Sequence, residues 1–142
     1  MPYVLGSKSL AVLSKVHPDL YAVVRLAIRL SKQDFAVFEG WRTLDRQREL
    51  VAQGVSWTYN SRHLTGHAVD LVPWIDGKLV WDRPAALIVG EAVHKAAKQL
   101  GLHSQAIRSG YDWDQDERHE EPGETDYVHH ELSRVLYPVE AA

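Results

Sequence analysis

The chain has 142 residues, with 16 Lys+Arg against 19 Asp+Glu, a net charge of −3 and no cysteine. That mild acidity supplies no broad basic field, so nucleic acid is not an expected partner, and no stretch approaches the ~20 apolar residues of a membrane span. Without cysteine, disulfides, thiolate metal sites and cysteine nucleophiles are excluded, and any metal must be held by His, Asp and Glu. The length is that of one domain, and we expect a single one over residues 1–142, large enough to fold without disulfide or metal staples.

Leu10, Val12, Leu13 and Val16 suggest a first helical segment over 9–16, ended at His17-Pro18 because the residue before a proline avoids the helical region. Pro18 suits a first helical turn, and Leu20, Val23, Val24, Ala27, Ile28 and Leu30 recur at helical spacing, which predicts an amphipathic core helix from 18 to 30. The run Phe35-Ala36-Val37-Phe38 is rich in strand formers and too short for a helix, so 34–39 is read as a strand ending at Gly40. Thr43 is the expected N-cap of a helix over 43–53, stopped at Gly54.

After a polar connection over 55–62, residues 67–73 predict a strand and 75–81 its hairpin return through Asp76-Gly77. Ala85, Ile88, Val89, Ala92, Val93, Ala96 and Ala97 place a helix over 84–100, stopped at Gly101. Residues 111–125, with Asp112, Asp114, Asp116, Glu117, Glu120, Glu121 and Glu124, read as a long acidic surface loop, and 126–132 as a last strand. The sum is an α+β fold in which helices pack with a small, mainly antiparallel sheet.

The segment that carries chemistry is Ser61-Arg62-His63-Leu64-Thr65-Gly66-His67-Ala68-Val69-Asp70. Gly66 permits a positive φ, so the chain can reverse and bring His63 and Asp70 to one point. Asp70, inside an apolar strand, needs compensation by partners or metal. A third ligand can come from Asp126-Tyr127-Val128-His129-His130-Glu131-Leu132, where a carboxylate precedes a histidine by three. Three protein ligands with a nearby unligated carboxylate are the arrangement of a catalytic zinc with a base for its water.

These residues resemble a known family. Ser61-x-His63-x-x-Gly66-x-Ala68-x-Asp70, followed by Asp126-x-x-His129-x-Glu131-Leu132, is similar to the zinc peptidases of the D-alanyl-D-alanine carboxypeptidase group (M15 type, hedgehog-like fold), specifically its phage endolysin branch of L-alanyl-D-glutamate peptidases. Gly40-Trp41-Arg42-Thr43 with Gln47 resembles that group's arginine motif, and Gly110-Tyr111-Asp112-Trp113 the Gly-x-Asp-Trp ahead of its last ligand. The resemblance implies zinc on His63, Asp70 and His129, Asp126 as general base, Arg42 as oxyanion and substrate stabiliser, and Ser61 in the substrate groove. Glu131 shares strand parity with His129 and can hydrogen-bond one of the ligands.

The resemblance further implies hydrolysis of the L-Ala–D-Glu bond in peptidoglycan stem peptides. The implied setting is a monomer without an export signal that accumulates in the host cytoplasm and reaches the wall once the membrane is opened. Asp126 distinguishes this branch from the carboxypeptidase and dipeptidase relatives, which place Glu there, and from a binding module that has lost its base. His130 departs from the family, whose members carry an apolar residue after the ligand; neighbouring strand residues face opposite ways, so only one of His129 and His130 can face the metal with Asp70. His67 is not expected to touch metal, and His17, His94, His103 and His119 are read as solvated or hydrogen-bonded. The acidic loop, with Asp114-x-Asp116 at its centre, also offers hard oxygen ligands to calcium.

Overall fold

Ala68–Ile75 (β2) is the strand on which the sheet is assembled. It pairs antiparallel with Phe35–Glu39 (β1) on one side and Asp126–Leu132 (β5) on the other, and β5 pairs in turn with Ile107–Gly110 (β4). The order is β1-β2-β5-β4, with Lys78–Leu79 (β3) folding back on the end of β2. The computed structural model describes residues 2–56, 58, 60–115 and 125–139.

The described residues also form four α-helices: Ser7–Leu13 (α1), Pro18–Leu30 (α2), Leu44–Ala52 (α3) and Arg83–Gln99 (α4). α2 and α4 pack against one another, α4 lies on β2 and β5, and α1 lies on β1. Side chains alternate across a strand, so Val69 and Leu71 enter the core with Leu20, Val23 and Val24 of α2 and Val89 and Val93 of α4. Asp70 between them is left for the opposite face. The register sets Asp70 across from Glu39 on β1 and from His129 on β5, so three strands deliver polar side chains to one row on the open side of the sheet.

Thr43 caps its helix as the sequence suggests, and two caps not read from the sequence join it. His17 Nδ1 accepts from the Asp19 N–H at the start of α2, Thr43 Oγ1 from the Arg46 N–H at α3, and Asp82 Oδ2 from the Ala85 N–H at α4. The strands over 35–39 and 126–132 match their sequence patterns closely.

Three elements differ from expectation. The first helix spans Ser7–Leu13 rather than 9–16; residues 14–16 form a turn that aims the His17 N–H at the Gly66 carbonyl, 2.8 Å away. β2 runs past Pro73 to Ile75 because the Trp74 N–H still finds the Asp34 carbonyl at 2.9 Å, and the hairpin return shrinks to two residues. β4 has no counterpart in the sequence reading. Its four residues, Ile-Arg-Ser-Gly, show no strand pattern, and they are extended because β5 presents an edge for Ile107 to pair with Leu132. Of the acidic loop, residues 116–124 lie outside the described part of the chain, and with them most of the calcium ligands considered above, along with His119.

Gly110 lies where β4 crosses Asp126, and a Cβ at that position would stand 2.8 Å from the Asp126 Cβ and 3.0 Å from its carbonyl carbon. Neither strand can yield without breaking the pairing. Gly110→Ala is therefore expected to cost about 1–3 kcal/mol, a fall in melting temperature of roughly 3–10 °C. An unchanged melting curve would contradict this close approach.

Candidate metal centre

A 3-10 turn over Arg62–Thr65 presents His63 to the open face of the sheet. Ser61 caps it, its hydroxyl accepting from the His63 N–H at 3.2 Å. Gly66 ends it at φ 73°, and a Cβ there would meet the Lys15 carbonyl oxygen at 2.9 Å. The reversal therefore needs glycine both for its dihedral and for its space. The buried Arg62 fastens the turn to the end of β5, Nη2 donating to the carbonyls of Leu132 and Tyr137 at 2.9 Å each. This bond ties the segment carrying His63 to the strand carrying His129.

Asp70 is the meeting point. Its Oδ1 lies 3.3 Å from His63 Nε2 and 3.1 Å from His129 Nδ1, and its Oδ2 3.9 Å from Arg42 Nη2. One donor atom from each of His63, Asp70 and His129 falls within 4.8 Å of the others. Both imidazoles are oriented from behind: His63 Nδ1 donates to the Gly40 carbonyl at 2.7 Å, and His129 Nε2 to Glu131 Oε1 at 2.9 Å. With those nitrogens protonated, a singly protonated ring turns its remaining lone pair toward Asp70. Lone pairs aimed at a carboxylate repel unless a cation lies among them, and outward N–H groups held by a carbonyl and a carboxylate are the usual setting of metal-bound histidine. The donor set thus fits a divalent metal.

The electrostatics follow from this crowding. Burial would raise the Asp70 carboxyl, but the two histidines hold it well below the usual carboxylate range. Burial would lower His129, but its hydrogen bonds to Asp70 and Glu131 raise it to about 10. Stripped of metal, the centre therefore keeps a proton on His129 at neutral pH, and that proton separates the groups in the metal's place. Asp126 opens onto the same groove; desolvation and then the charge of Asp70 push its carboxyl upward, with His129, His63 and Arg42 pulling the other way.

An open groove of about 890 Å³ runs over the centre, and Arg42, Ser61 and Asp126 line it together with the three candidate ligands. Arg42 is buried and clamped: Nε and Nη2 each donate to a Glu39 carboxylate oxygen at 2.6 Å, and Nη1 donates to Gln47 Oε1 at 2.6 Å. Gln47, fully buried in α3, is fixed in turn by donating to Ser56 Oγ and the Thr58 carbonyl. Glu39 carries no motif signal beyond its place at the end of a strand, and the sequence reading missed it. Trp113 stacks against His129 with ring centroids 5.3 Å apart.

The structure puts His129 and His130 on opposite faces of β5. His130 is fully buried, Nδ1 bonded to Ser109 Oγ at 2.7 Å, and the same hydroxyl meets His94 Nε2 at 2.8 Å. Burial, then the neighbouring His94, lowers His130 to about 3, so it packs as a neutral core residue. His67 faces away from the centre and stacks on His17, 5.2 Å between centroids. His17 and His103 accept backbone N–H groups two residues on.

Comparison with known proteins gives one family throughout. The phage L-alanyl-D-glutamate peptidase family matches over residues 1–133. The L-alanyl-D-glutamate peptidase of Escherichia phage T5 is 37% identical over 117 residues, 80% of this chain and 83% of that protein. The crystal structure of the Serratia marcescens L-Ala D-Glu endopeptidase ChiX superposes with a TM-score of 0.80 at 37% identity, covering 96% of this chain and 95% of that one.

If His129 holds the proton that a metal replaces, metal uptake releases it. Calorimetric titration of zinc into chelator-stripped protein at pH 7, repeated in buffers of different ionisation enthalpy, is expected to show about one proton released per metal bound. A heat independent of the buffer would contradict the assignment.

Proposed function

Since the chain belongs to the phage L-alanyl-D-glutamate peptidase family, we propose that its peptidoglycan hydrolysis takes place in the groove over Asp70, on a zinc ion held by His63, Asp70 and His129. The observation that carries this reading is the convergence of three donor atoms within 4.8 Å on the groove floor. Two imidazoles and one carboxylate are a donor set that suits zinc, with a position left for water and substrate. When bound there, zinc supplies Lewis acidity, polarising the scissile carbonyl and easing the deprotonation of water.

The rest of the work falls to the side chains. Asp126, three residues before His129 and with its carboxyl raised from the ordinary value by desolvation and the charge of Asp70, takes the proton of the attacking water and delivers it to the leaving amine of D-Glu. Arg42 stands beside Asp70 with its guanidinium immobilised by Glu39 and Gln47, and offsets the charge that develops on the carbonyl oxygen without having to reorganise. Ser61 contributes to the groove wall that receives the stem peptide. Among the described residues no helix is long and apolar enough to cross a membrane. We place the enzyme in the host cytoplasm until the membrane opens, with the wall as its site of action.

The test is Asp126→Asn assayed on a defined muropeptide, with products read by mass spectrometry and bound metal measured in parallel. The expected result is a loss of about 10²–10⁴ in kcat with metal content retained, against wild-type release of a fragment with a new amino group on D-Glu. Full activity in the variant, or wild-type release of terminal D-Ala alone, would overturn the reading.

A further inference from the structure

The groove is not electrically uniform across the sheet. At Phe38 and Trp81 its wall is apolar: the two rings meet edge to face at 5.3 Å and remain about half exposed, at 49% and 60%. On the β4 side stands Arg108, whose backbone pairs with Glu131. Its guanidinium lies over the Trp113 ring, 4.9 Å from the centroid, and Nη2 donates to Glu131 Oε2 at 3.1 Å. The other Glu131 oxygen holds His129. One guanidinium nitrogen is thus used to fix the group, the indole supports its flat face, and its side chain stays one-third exposed on the groove.

The other arginines lining the groove stand at other places along it. Arg42 is clamped by Glu39 and Gln47, and Arg62 is turned inward onto the carbonyls of Leu132, Ser133 and Tyr137. Arg46 is on α3 beside Glu49, and Arg134 lies past the end of β5, bonded to the Asn60 carbonyl.

We infer that Arg108 receives the free carboxylate of the D-glutamyl residue and so sets the direction in which the stem peptide lies, its D-Glu side toward β4. A glutamyl residue has two carboxyl groups and its chain continues through one, so the residue just beyond the scissile bond brings a carboxylate of its own. Arg108 pairs with Glu131, whose other carboxylate oxygen holds His129, so its guanidinium flanks the centre on the β4 side, where the residue next to the scissile bond would bring that carboxylate. A guanidinium presents paired N–H groups in the geometry a carboxylate accepts. The inference rests on the reading that L-Ala–D-Glu is the bond cut.

The experiment compares two muropeptides that differ only in this group, one with the carboxylate free and one with it converted to the carboxamide. Wild-type enzyme is expected to favour the carboxylate by about ten- to a hundredfold in kcat/KM, the scale of a lost charge-assisted hydrogen bond. Arg108→Gln is expected to bring the ratio close to one, and Arg108→Lys to retain part of it. Were Arg108 to act only by steadying Glu131 and His129, both substrates would fall together with the ratio intact, and the inference would be overturned. Absence of any wild-type preference would also overturn it. Wild-type failure to cut either substrate at L-Ala–D-Glu would instead remove the underlying reading, and the inference with it.

Discussion

A carboxylate placed between two imidazoles in an apolar strand organises the rest of the molecule. Val69 and Leu71 are fully buried on either side of Asp70, and withdrawing a charge from water beside them is costly unless an opposite charge accompanies it. Arg42 supplies part of that charge, 3.9 Å from Asp70 Oδ2, and the Gly40 carbonyl and the Glu131 carboxylate prepare the site for more by taking the outward N–H groups of His63 and His129. What remains is a cluster of electron pairs directed at one volume. The fold holds it by pairing β1, β2 and β5 in register and by the Arg62 tie across 70 residues of chain.

Two adjacent residues show how sharply position controls chemistry. His129 and His130 are both deeply buried on β5, yet one is drawn up to about 10 and the other down to about 3. Burial lowers both; the difference is that His129 faces two carboxylates while His130 faces Ser109 and His94 on the helix side. Strand alternation alone separates a candidate ligand from a core residue. An additional histidine is tolerated beside His129 because it lies on the opposite face of the strand, bonded to Ser109 and closed off from the groove.

Much of this could be read from residue order, for identifiable reasons. α2 and α4 declare themselves by apolar residues at helical spacing, by Pro18 at the start of one and Gly101 past the end of the other, and Gly66 marks the reversal that joins His63 to Asp70. Spacing from Asp126 and the two-residue period of a strand separate His129 from His130. β4 was hidden because four residues without alternation become a strand only when an edge is offered to them. The clamp of Glu39, Arg42 and Gln47 was half hidden: the arginine sits in a motif, but its partners come from a strand end and a helix and meet only in the folded chain. Arg108 and the Arg62 tie were hidden for the same reason, since no local pattern distinguishes an arginine on a short strand from a solvated one.

The central claim is that His63, Asp70 and His129 together hold the metal. X-ray absorption at the zinc edge of the loaded protein tests it most directly. The account predicts first-shell N/O scatterers at about 2.0–2.1 Å with the outer-shell pattern of two imidazoles, reduced to one imidazole in either His63→Ala or His129→Ala. A spectrum with no imidazole pattern, or one unchanged by both substitutions, would place the metal elsewhere and contradict the account.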